Sequence, residues 1–122
     1  MKNNYLQNDT GFTLIEIIAV LVILGILAAV AVPRYFEMQT NARQNAVEGA
    51  IAALQSTASQ EYAKQLVTNP STTTYDPTSP VVVGDFTGSI ANGTGVVTLT
   101  ITGGPNWWDS SIVGNEKSFK LY

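Results

Sequence analysis

The chain of 122 residues contains no cysteine and no histidine. Imidazole acid–base chemistry, thiol nucleophiles and cysteine-based zinc sites are thereby excluded, and no disulfide staples the fold. Charge is scarce as well. Six basic and nine acidic residues leave a net charge of −3, and the basic ones form no cluster, so the footprint of a nucleic-acid binder is missing. Asp76, Asp85, Asp109 and Glu116 are scattered, whereas calcium needs several oxygens converging on one point. They read as solvated loop acids. No catalytic residue, metal or cofactor is called for, and the expectation is a protein that is not an enzyme.

What the chain does have is one apolar run. Gly11-Phe12-Thr13-Leu14-Ile15-Glu16 opens a stretch that is otherwise unbroken to Val32. Roughly twenty apolar residues suffice to cross a bilayer as a helix. The acid inside the run is what a simple anchor does not explain. At the centre of such a helix an acidic residue costs about 2.5–3.5 kcal/mol, and less toward the end. A charge in that setting is functional by default and needs a partner.

Gly11 followed by Phe12-Thr13-Leu14-Ile15-Glu16, then an apolar helix with Gly25 and Pro33 toward its far end, resembles the type IV pilin and pseudopilin family. Residues between Pro33 and Lys64, such as Pro33-Arg34-Tyr35-Phe36 and Gln39-Thr40-Asn41-Ala42-Arg43, are similar to pilins of the mannose-sensitive haemagglutinin type. The resemblance implies a leader, residues 1–11, cut by a prepilin peptidase between Gly11 and Phe12. Phe12 then becomes the N-methylated first residue. Leaders of this family usually carry several basic residues, whereas this one has only Lys2 and also contains Asp9. Many pilins also close a C-terminal loop with a cysteine pair, which this chain lacks.

The same resemblance assigns a counter-ion to Glu16, the amine of Phe12 on a neighbouring subunit. In a low-dielectric setting such a pair attracts strongly and offsets much of its desolvation. Glu16 would then set how far each helix sits from the last. Gly25, with Ala28, Ala29 and Ala31, offers small surfaces for close helix approach, although such residues are also ordinary in membrane helices. Pro33 removes a backbone donor and should kink or loosen the helix upstream. Gly25 and Pro33 are therefore read as points of helix flexibility. A competing signal is Ala29-Val30-Ala31, the small-x-small form read by an ordinary signal peptidase. Cleavage there would release a secreted binding domain beginning at Val32.

Past Pro33 the pattern becomes amphipathic. Val47, Ala50, Ile51, Leu54, Ala58, Tyr62 and Leu66 recur at three- and four-residue steps and form one apolar stripe. Helix is expected to about Leu66 or Val67. Residues 68–80, rich in Ser, Thr, Asn and Pro, read as a loop. Strands are expected at 81–86, 96–102 and 118–122, with 87–95 a connection carrying the turn signal Asn92-Gly93. In the middle strand Val97, Leu99 and Ile101 alternate with threonines, so one face is apolar.

The expected fold is α+β and pilin-like. One long N-terminal helix, with a membrane-spanning half (12–33) and an amphipathic half (34–67), packs on a small antiparallel sheet within 68–122.

Two features remain outside this frame. Trp107 and Trp108 follow Gly103-Gly104-Pro105-Asn106 and so sit in a loop. One ring packing over the sheet edge with the other partly exposed is favoured over any ligand role, while a subunit contact is the functional reading of Trp107 and Trp108, since indole is enriched at interfaces. Asn92-Gly93-Thr94 fits a glycosylation sequon, a short motif that arises often by chance.

The sequence thus points to a structural subunit of a type IV pilus, or to a pseudopilin of a type II secretion system. Its expected partners are identical or related pilin subunits, the prepilin peptidase, the pilus assembly machinery and, before assembly, the bacterial inner membrane. No nucleic acid is among them. The expected destination is an extracellular pilus, or the periplasm for a pseudopilus.

Overall fold

Good helix formers and the absence of proline after Pro33 carry a single α-helix, α1, from Leu14 to Thr68. The computed structural model describes residues 11–93 and 95–121. Residues 1–10 of the leader, Thr94 of the sequon and Tyr122 of the last expected strand lie outside the described residues. The chain divides into two units, one ending at Met38 and the other beginning at Gln39.

The described part of the first unit is helix from Leu14 onward. Every described residue to Met38 is exposed, including Ile15, Ile18, Leu21, Leu24 and Leu27. Among the described residues α1 is the one helix long and apolar enough to cross a membrane. Pro33 lies inside the helix, where its missing N–H leaves the Ala29 carbonyl without its usual donor.

The second unit combines the rest of α1 with a sheet of four antiparallel strands. These are β1 (Val81–Val83), β2 (Phe86–Asn92), β3 (Val96–Gly103) and β4 (Glu116–Lys120), in the order β1-β2-β3-β4. The helix contributes Val47, Ala50, Ile51, Leu54 and Ala58 to the core. The sheet answers with Phe86, Ile90, Val97, Leu99 and Ile101, and Phe119 and Leu121 pack at the margin. The period of two along β3 holds, with Val97, Leu99 and Ile101 buried and the threonines between them turned outward. The α+β, pilin-like fold is therefore the one observed.

Several details depart from expectation. The segment 81–86 is two strands, because Gly84, at φ 58, opens a two-residue hairpin that pairs Val83 with Phe86. Most of 87–95 is then strand β2, not a connection. Its inward face is Phe86, Gly88 and Ile90, and a glycine in the middle hides the apolar alternation. The last strand begins at Glu116, two residues early, and the helix ends at Thr68. Leu66, expected on the buried stripe, is 36% exposed, since the sheet does not extend cover that far.

The segment 69–80 is a loop, as expected, but it contributes a core residue. Tyr75 is buried, its ring set edge-on to Tyr62 at 6.0 Å. Its hydroxyl donates to Glu61 Oε2 at 2.6 Å, and the Thr78 N–H reaches the same oxygen. Gln65 grips the Asp76 backbone at both ends of its amide, and Asn92 Nδ2 donates to the Tyr75 carbonyl.

Candidate processing and assembly site

The start of α1 is fixed by its own side chains. Glu16 N–H donates to Thr13 Oγ1 at 3.3 Å, and Thr13 N–H donates to Glu16 Oε2 at 2.8 Å. This is a capping box, in which a threonine and the glutamate three residues on satisfy backbone donors reciprocally. The carboxylate also lies in the first turn, where the positive end of the helix dipole favours it. Glu16 therefore has a local structural task besides any role between subunits. The spacing Thr13-x-x-Glu16 carried that signal in the sequence.

Around this cap the structure assembles the N-terminal residues singled out from sequence. Phe12, 86% exposed, precedes the cap, and its ring lines a shallow groove with Glu16, Ile17, Val20 and Leu21. Gly11 is exposed, and a β-carbon there would meet nothing within 4 Å. The peptide between Gly11 and Phe12 is thus in the open, just before the helix begins. Gly25 is likewise surrounded by open space. Pro33 lies in the same unit, farther along the helix.

The tryptophan pair is not part of this site. Trp107 stands edge-on to Phe86 at 5.8 Å, with the Arg43 guanidinium over its ring at 5.8 Å. Trp108 packs on Gly104, where a β-carbon would come within 2.9 Å of its Cγ. Both rings are half-buried and packed against the core. Trp108 Nε1 is buried with no hydrogen-bond partner among the described residues. A cleft beside Trp107 is lined by Thr40, Arg43, Gln44, Asp109 and Ile112. The Ser111 N–H, 2.7 Å from Asp109 Oδ1, holds the Asp109 carboxyl below the usual range. Among the described residues, no three acids gather at one point.

The prokaryotic N-terminal methylation motif matches residues 6–32. The chain is 50% identical over 46 residues to the type IV narrow pilus major component PilA5 of Thermus thermophilus, covering 38% of this chain and 40% of that protein. It is 41% identical over 46 residues to the type IV major pilin protein PilA of Myxococcus xanthus, covering 38% and 21%. With the type II secretion system core protein G of Pseudomonas aeruginosa it shares 46% identity over 48 residues, covering 39% and 34%. The matched segment spans less than half the length of each of these relatives. No solved structure matches the chain. The methylation motif, the capped and acid-bearing apolar helix and these similarities agree: the amino-terminal segment of the chain is similar to that of type IV pilins and a type II secretion pseudopilin.

Proposed function

We propose that the protein is a structural subunit of a type IV pilus. It is made as a membrane-held precursor, cut between Gly11 and Phe12 by prepilin peptidase, and N-methylated at Phe12. The observation that carries this reading is the methylation motif over residues 6–32, which takes in the start of an apolar helix whose described residues to Met38 are exposed. A surface so apolar requires lipid or other helices around it. Lipid surrounds it before assembly, and copies of the same helix do so in the filament. In this reading 1–11 is the leader, 12–33 the membrane and filament-core half of the helix, and 34–67 joins 68–122 to form the head. Small residues such as Gly25 permit close helix approach, and Pro33 with Gly25 gives the helix local freedom.

Glu16 is given a second partner on assembly. Its carboxylate, held by Thr13 within the chain, pairs with the Phe12 amine of a neighbouring subunit once the leader is gone. That sets the register of one helix against the next. Identical or related pilins, the peptidase and the assembly machinery are the partners. The inner membrane and then the cell exterior are the compartments.

The similarity to a type II secretion core protein supports a second reading, a pseudopilin confined to the periplasm. Mass spectrometry of the mature amino terminus tests the shared part of both. N-methylphenylalanine at position 12 is expected, whereas a chain beginning at Val32 defeats both and favours a secreted domain. Electron microscopy for surface filaments containing this subunit separates pilus from pseudopilus.

A further inference from the structure

Asn92-Gly93 is the single Asn-Gly step in the chain. At such a step an asparagine loses its amide most readily, because the glycine nitrogen attacks with no β-carbon in the way. The Gly93 nitrogen forms a bond to Asn92 Cγ, and the Cγ–Nδ2 bond breaks. The side-chain nitrogen leaves as ammonia, taking up the proton that Gly93 gives up. One water then opens the five-membered ring to aspartate or isoaspartate. Only water is consumed.

The fold engages both nitrogens of this reaction. Gly93 N–H donates to the Val96 carbonyl at 2.7 Å, which closes the β2–β3 hairpin. Asn92 Nδ2, the leaving group, donates to the Tyr75 carbonyl. Asn92 is also the last residue of β2, paired with Val97, so its backbone is extended and not turned toward ring closure.

We propose that Asn92 is a latent deamidation site guarded by the folded head, and that its conversion to an acid unlatches residues 69–80 from the sheet. The amide nitrogen is the donor that the Tyr75 carbonyl receives. A carboxylate has no hydrogen to give and sets a negative charge against that oxygen. Isoaspartate further lengthens the backbone at the end of β2 and disturbs the pairing with Val97. On its far side the segment is held to α1 by Glu61 and Gln65. Loss of Asn92 therefore frees one edge of the segment and leaves the helix and the rest of the sheet in place. Chemical ageing of a subunit would be registered first in this segment.

The experiment compares the full chain, solubilised in detergent, with the same chain unfolded in urea, both in mildly alkaline buffer. Peptide mass spectrometry resolves the asparagine, aspartate and isoaspartate forms of the 92–93 peptide. Deamidation is expected to be slower in the folded chain by about tenfold or more, since reaction must await local opening. Equal rates would overturn the guarding. A second arm follows amide exchange in Asn92→Asp. Exchange within 69–80 is expected to speed up by about tenfold, with 47–58 unchanged. Unaltered protection of 69–80 would overturn the latch. The kinetic arm uses the native sequence and so stands even if that variant folds poorly.

Discussion

Leu54 of the helix occupies the place that a β-carbon on Gly88 would need. The methyl Cδ2 and the Cγ lie 3.1 and 3.2 Å from that position, and Cδ1 is closer still. The glycine in the middle of β2 is thus a consequence of packing, because the Leu54 side chain fills the space beside its backbone. Gly88→Ala should destabilise the head by about 1–3 kcal/mol through overpacking, read as a lower denaturation midpoint. Gly49→Ala, where nothing lies within 4 Å, is the control and should be neutral or stabilising by up to about 1 kcal/mol.

Glu16 has two tasks that one pair of substitutions separates. Glu16→Ala removes both the capping box and the charge. Glu16→Gln keeps a side chain that can accept from Thr13, as capping boxes allow, but carries no charge. Both variants should still be processed. Filament yield should fall for both if the pairing with a neighbouring amine operates. Recovery of wild-type yield in Glu16→Gln would reduce the residue to a helix cap, whose worth is about 0.5–2 kcal/mol.

Gly11→Ala should leave full-length precursor in the membrane fraction. The alanine meets no obstacle in the structure, so any loss of cleavage reflects recognition by the peptidase and not misfolding. Normal processing on an immunoblot would argue against the assigned bond.

Tyr75 provides a pH test. Burial first, and then the hydrogen bond to Glu61, raises the Tyr75 hydroxyl well above its ordinary value of about 10. A folded-state pKa above the unfolded one means stability is intact below the unfolded value and declines as pH rises toward the folded one. The head should therefore lose stability above about pH 10. In Tyr75→Phe that alkaline loss should shrink, while stability at neutral pH drops by about 1–3 kcal/mol through the lost charged-acceptor bond. Urea denaturation across pH measures both.

Trp108→Ala removes a half-buried ring packed on Gly104 and leaves a gap there. Monomer stability should fall by about 2 kcal/mol or more. A variant with unchanged denaturation but altered filaments would make the ring an interface anchor instead.

The legible parts of the sequence were those where one local pattern has one physical solution. An apolar run of bilayer length can satisfy its backbone in lipid only as a helix. The threonine alternation in β3 has one inward face. Strand β2 escaped because its inward row is Phe86, Gly88 and Ile90, which shows no apolar period until Leu54 is seen beside Gly88. The hairpin at Gly84-Asp85 was legible in principle, since Gly-Asp between short apolar runs marks a two-residue turn. Tyr75 could not be found from its surroundings of Ser, Thr, Asn and Pro. Its burial depends on Glu61, Gln65 and Asn92, distant in sequence, arriving around it.

By itself, then, the sequence determined the membrane-type helix, its embedded acid, the absence of thiol and imidazole chemistry, and the α+β class. These follow from local composition and period. Tertiary structure alone decided the glycine under Leu54, the seating of residues 69–80 and the packing of both tryptophans against the core. Each depends on which distant surfaces come into contact, and no local pattern of residues encodes that.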